Sequence, residues 1–113
     1  GLPATMLAKY FHRSGTNWEL DSHVRDMVTF RSMNLAGPWS SIPQIDILLL
    51  RNVLIYFDIP MRKKILSCVR RILRQDGYML MGAAETTLNL DDNFERVQFE
   101  SCVCYRLRQG ATV

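Results

Sequence analysis

The sequence predicts an α/β fold whose sheet has a parallel centre and an antiparallel edge. Three observations predict it. Residues 45–50, IDILLL, form a run that is apolar apart from Asp46 and is bounded by turn-forming and polar residues. A helical pattern over 59–75 and a second apolar run, Tyr78 to Ala83, follow at once, so strand, helix and strand succeed one another as in a βαβ unit. Phe94–Phe99 and Cys102–Arg108, joined at Glu100-Ser101, read as a hairpin that adds antiparallel strands.

In chain order, about Pro3 to Phe11 reads as a short helix that ends in the turn-like Ser14-Gly15-Thr16-Asn17. Trp18–Asp21 and Met27–Ser32 are expected to be short strands, with a polar connection from Ser22 to Asp26. Asn34 to Gln44 contains Gly37, Pro38 and Pro43 among serines and is expected to be a loop. The 45–50 run does not alternate, which predicts a strand covered on both faces. Asp58 is placed to cap a helix over 59–75, with Pro60 in the first turn, where a missing N–H costs little. Met61, Ile65, Cys68, Val69 and Ile72 fall on one side of that helix. Lys63, Lys64, Arg70, Arg71 and Arg74 fall on the other, and Gly77 is a natural stop.

The chain has 113 residues, 48% hydrophobic and 22% charged, which suits one globular domain and not two. No apolar run approaches the roughly 20 residues of a membrane span. A net charge of +3 with a pI near 9.0 is mildly basic and lacks the dense cationic stripe of a nucleic-acid binder. Three cysteines, Cys68, Cys102 and Cys104, form no disulfide framework and favour a reducing, cytoplasmic setting. The pair Cys102 and Cys104 has no second pair with which to build a metal site, and His12 and His23 are distant in sequence, so no metal is expected. The chain starts at Gly1 without an initiator methionine and reads as a processed product or an excised piece.

The stretch DILLLRNVLIYFD, 46–58, sets Arg51 and Asn52 between two apolar segments. Such groups are costly to bury without partners. They stand at the carboxyl end of the 45–50 strand, and Glu85 stands at the equivalent end of the 78–83 strand. Ligands of open α/β sheets bind at that edge.

These residues resemble the CheR-type chemotaxis receptor methyltransferases. The resemblance rests on FRSMNL (30–35), IDILLLRNVLIYFD (45–58), RRILRQDGYMLMGAAET (70–86) and FERVQFESCVCYRL (94–107), with an opening, GLP to KYFHRSGTNWEL, that fits the lead-in to a small β-subdomain. The family shows an aspartate-led strand ending in R-N-V-[LM]-I-Y-F, a helix, a glycine turn and a strand ending near G-H-S-E. Here that last stretch is Gly82-Ala83-Ala84-Glu85, which keeps the glycine and glutamate and loses the histidine and serine. The upstream glycine-containing acidic loop, the ribose-binding acid and the N-terminal helical domain with its catalytic arginine have no counterpart in the chain.

The resemblance therefore implies an incomplete Rossmann-like S-adenosylmethionine-dependent methyltransferase fold. Residues 1–33 would be the lead-in helix and part of the β-subdomain, and 34–113 the C-terminal half of the Rossmann-like domain. It implies that the parent protein transfers a methyl group from S-adenosylmethionine to glutamates of chemoreceptors, leaving S-adenosylhomocysteine. The piece alone is expected to be inactive. A non-catalytic interaction module that keeps the fold is the alternative.

By the same resemblance Asn34, with Leu35, would meet the adenine, against the reading of Asn34 as a loop cap. Arg51 and Asn52 would lie at the cofactor's amino-acid end, with Arg51 paired to the cofactor carboxylate or the substrate glutamate. The other reading of Arg51 is a buried arginine neutralised by Asp46 or Glu85. Tyr56 would face methyl transfer, against the reading of a core tyrosine. Partners would be acidic chemoreceptor helices, for which the basic face of the 59–75 helix is a candidate surface. Trp18 to Phe30 maps onto the β-subdomain, and its short connection at 21–26 sets it with members that do not bind a receptor tail peptide. A half sheet with an open edge and an uncovered apolar face is expected to self-associate.

Overall fold

The computed structural model describes residues 1–109, which fall into two compact units divided between Met33 and Asn34. In the first unit α1 (Ala4–Tyr10) leads into an antiparallel hairpin, β1 (Phe11–Ser14) and β2 (Asn17–Leu20), turned at Gly15 with a φ of 62°. A one-turn helix, α2 (Ser22–Arg25), follows. The expected strand at 27–32 does not form. Met27, Val28 and Phe30 are exposed, so its apolar residues find no partner strand among the described residues. The first strand of this unit is instead Phe11–Ser14, which lies within and just beyond the end expected for the opening helix.

The second unit is a four-stranded sheet in the order β3-β4-β6-β5, built from β3 (Ile45–Leu50), β4 (Leu73–Met81), β5 (Phe94–Phe99) and β6 (Cys102–Leu107). β3 and β4 are parallel, joined by α3 (Ile59–Ile72), and the β5–β6 hairpin is antiparallel. The expected α/β sheet with an antiparallel edge is present. Asp58 caps α3 as expected: its Oδ1 accepts the Met61 N–H at 3.0 Å, and Pro60 occupies the first turn.

α3 ends at Ile72, not near Gly77. Leu73 is already extended and pairs with Ile45, so strand pairing ends the helix early. From Leu73 to Tyr78 β4 takes five steps while β3 takes two, from Ile45 to Ile47. Gly77 lies in that bulge. A Cβ there would sit 2.7 Å from the Asp46 carbonyl oxygen, so glycine allows close approach of the two strands and does not act as a helix stop.

Ile65, Leu66, Val69 and Ile72 of α3 pack with Leu50, Met79, Met81, Phe94, Tyr105 and Leu107 in one core. The register sets Leu48 and Leu50 beside Met79 and Met81 on this covered face. It sets Ile47 and Leu49 beside Tyr78 and Leu80 on the other face, where Ile47 and Leu49 are 64% and 66% exposed. The expectation that 45–50 is covered on both faces is therefore not met: β3 is the first strand of the sheet, and one of its faces is open. The basic helix face also shrinks. Arg74 lies beyond α3 and pairs with Asp46 at 2.9 Å, while Arg70 is drawn to Asp91 at 2.9 Å and holds the loop before β5. Lys63, Lys64 and Arg71 remain on the exposed side.

No helix among the described residues is long and apolar enough to cross a membrane, and no cluster of His, Cys, Asp or Glu there could hold a metal ion.

Candidate active site

The parallel pair brings Leu50 beside Met81, so the residues that leave these strands, Arg51-Asn52 and Gly82, emerge side by side at the carboxyl edge. Glu85 ties them together. Its Oε1 accepts the N–H of Asn52 and, at 2.9 Å, that of Gly82, and its Oε2 accepts the Val53 N–H at 3.2 Å. The residue is buried. Burial pushes its pKa up, but the N–H groups of Gly82, Asn52, Ile55 and Leu54 outweigh that effect and hold it below the ordinary carboxylate value. One ionised side chain thus satisfies the backbone donors of a tight turn that the surrounding strands leave unpaired.

The turn needs its particular residues. Asn52 has a φ of 57°, a left-handed conformation that asparagine adopts more readily than most residues. Its side-chain oxygen lies against Gly82, where a Cβ would collide with it and would lie 2.7 Å from Glu85 Oε1. Glycine at 82 therefore leaves the room that the Asn52 amide and the Glu85 carboxylate fill.

Arg51 is exposed, and Asp46 is taken by Arg74 while Glu85 is committed to backbone N–H groups, so the picture of a buried, neutralised arginine does not hold. Arg51 lines a cavity of about 410 Å³ together with Glu85, Gly82, Arg96, Ser101 and Tyr105. Arg96 was not singled out by sequence. A signal was available, because the period of two from Phe94, a core residue, puts Arg96 on the core face beside Tyr105.

Tyr56 ends a 3-10 turn (Leu54–Tyr56) and is 81% exposed, so it is not a core tyrosine. Leu54, two residues earlier, enters the core instead at 2% exposure. Asn34 Oδ1 accepts the Ala36 N–H at 3.0 Å, and its backbone carbonyl accepts that of Gly37, so this residue does shape its loop. Its side-chain nitrogen makes no hydrogen bond among the described residues. Leu35 packs against the core, and its carbonyl accepts the Trp39 indole N–H at 2.9 Å. The structure therefore brings Arg51, Asn52 and Glu85 together. Tyr56, Asn34 and Leu35 do not line the cavity that Arg51 lines.

Comparison with known proteins gives a consistent picture. Residues 1–103 match the family described as CheR methyltransferase, SAM binding domain. Chemotaxis protein methyltransferase 1 of Pseudomonas aeruginosa is 34% identical over 109 residues, covering 96% of this chain and 40% of that protein. Chemotaxis protein methyltransferase Cher2 of Pseudomonas putida is 35% identical over the same share of each chain. Chemotaxis protein methyltransferase 1 of Vibrio cholerae is 34% identical, again over 96% of this chain and 40% of its own length. The chain thus spans about 40% of the length of the curated relatives it matches.

Proposed function

This chain belongs to the CheR methyltransferase family through its S-adenosylmethionine-binding domain, and on that premise we propose that it forms the carboxyl-edge wall of a site that methylates glutamate side chains of chemoreceptors in the cytoplasm. The observation that carries this reading is the Arg51-Asn52 turn, locked by Glu85 at the ends of two adjacent parallel strands, where open α/β sheets bind ligands.

The donors fit part of S-adenosylmethionine. The Asn34 side-chain nitrogen offers a donor in the amide plane to an adenine edge, its Oδ1 already accepting the Ala36 N–H, with Leu35 next to it. The Arg51 guanidinium is available to a carboxylate, whether of the cofactor or of the acceptor. Asn52 lends the turn its shape and its amide. Glu85 is already committed and offers nothing to a ribose or an ammonium group. Bound there, S-adenosylmethionine would supply an activated methyl for in-line displacement by a glutamate carboxylate, giving a methyl ester and S-adenosylhomocysteine.

That acceptor is an anion at neutral pH and needs no strong base, so the work falls on placement and partial desolvation. Arg51 would draw the carboxylate in. Tyr56, exposed at the end of its turn, would orient it through its hydroxyl. Lys63, Lys64 and Arg71 on α3 would favour an acidic receptor helix nearby.

The chain by itself is expected to be inactive and to bind S-adenosylmethionine weakly or not at all. The open edge of β3, with Ile47 and Leu49 exposed, would drive self-association. The test is methyl transfer from labelled S-adenosylmethionine to receptor membranes, with the full-length protein and with this chain. Base-labile label on receptor glutamates from the full-length protein alone is the expected result. Turnover by the chain alone would overturn its inactivity, and no turnover by either would favour the non-catalytic module.

A further inference from the structure

We propose that Arg96 joins Arg51 in a carboxylate-binding site on the acceptor side of the edge, where the two arginines hold an acidic segment of the substrate. This rests on the reading of the chain as part of a glutamate methyltransferase. It adds a binding residue from the C-terminal hairpin and assigns Arg51 to the acceptor.

The argument begins with charge pairing. The other arginines on the strands of this sheet or just beyond their ends are committed to carboxylates: Arg74 to Asp46, and Arg106 and Arg108 to Glu95. Arg51 and Arg96 have no ion pair among the described residues, and both line the same cavity of about 410 Å³. The one carboxylate among its lining residues is Glu85, whose oxygens already accept the N–H groups of Asn52, Gly82 and Val53. Two arginines thus line this cavity against one committed carboxylate, and Arg96 also borders the neighbouring cavity that Asp91 and Asp92 line.

Position supplies the next step. β4 and β6 pair at Met79 and Tyr105, and the cavity is walled by the carboxyl end of β4 and the amino end of β6. Arg96 pairs in register with Tyr105, so β5 carries its side chain to the same face. Two arginines from separate elements, on a wall with the Ser101 and Tyr105 side chains, suit carboxylates presented by a peptide. The acceptor of the proposed reaction is a glutamate in such a peptide.

The test uses a glutamate-rich helical peptide and its glutamine twin, titrated against the chain with Arg96→Gln, Arg96→Lys and, as control, Arg106→Gln. Circular dichroism checks that each variant is folded. Expected is about tenfold weaker binding of the glutamate peptide by Arg96→Gln, partial recovery in Arg96→Lys, no change in Arg106→Gln, and a loss of the glutamate preference at high salt. In the full-length protein, Arg96→Gln should raise KM for the receptor with kcat and S-adenosylmethionine affinity unchanged. Equal binding of the two peptides, an unaffected Arg96→Gln, or a loss of S-adenosylmethionine affinity instead would overturn the inference. If the full-length protein transfers no methyl group but the peptide still binds through Arg96, methylation fails as the function and the carboxylate site stands.

Discussion

Glu85 reaches across 33 residues of sequence to accept the backbone N–H of Asn52, and through that bond it holds the ends of two strands together. Replacing it with alanine would leave the buried N–H of Gly82 and the partly buried N–H groups of Asn52 and Val53 without their acceptor. We expect Glu85→Ala to cost roughly 2–4 kcal/mol, read as a lower urea midpoint.

The same carboxylate should mark the acid limb of stability. Its pKa is lowered in the folded chain from an ordinary 4.5. As pH falls, the unfolded chain takes up the proton first, so the contribution is complete above 4.5 and is lost as pH drops through the lower folded value. Carbon-detected NMR titration of the Glu85 carboxyl should give a midpoint below 4.5, and a midpoint above it would contradict the hydrogen-bond account.

Gly82→Ala should be far more damaging than a typical change of that size. The added methyl group would collide with the Asn52 amide and lie 2.7 Å from Glu85 Oε1. A loss of about 1–3 kcal/mol is expected by thermal unfolding. The neighbouring Ala84→Gly, which adds no atom to the turn, should serve as a mild comparison.

Leu54 and Tyr56 should separate cleanly although they share one turn. Leu54→Ala removes a side chain that is 2% exposed and is expected to cost about 2–5 kcal/mol. Tyr56→Phe changes only a hydroxyl on an exposed ring. It should leave the melting temperature unmoved and slow methyl transfer in the full-length protein.

The hairpin of the first unit should respond to pH in the opposite sense. His12 Nδ1 lies 2.8 Å from Asp21 Oδ1, and its Nε2 lies 3.5 Å from Glu19. The hydrogen bond to Asp21, helped by the charge of Glu19, raises the His12 pKa above 6.5. The folded hairpin thus favours the imidazolium. That contribution is complete below 6.5 and fades as pH rises through the higher folded value. An NMR titration of the His12 ring in wild type and Asp21→Asn should show the midpoint fall in the variant.

What the sequence determined by itself was whatever depends on local pattern. The strand, helix, strand and hairpin order follows from apolar period, and the Asp58 cap and the Glu100-Ser101 turn follow from residue chemistry a few positions apart. The motif around Arg51 and Asn52 and its place at a strand end were equally legible. Tertiary structure decided the rest, because those outcomes depend on which distant group arrives. Strand pairing with Ile45, not Gly77, ended α3 at Ile72. The apolar residues at 27–32 found no strand to join, and Ile47 and Leu49 stayed open because no described element covers that face. Arg74 and Arg70 left the basic face when Asp46 and Asp91 reached them, while Arg51 and Arg96, 45 positions apart, came to share one cavity. A charge in sequence shows only that it needs a partner, and the fold decides whether it has one.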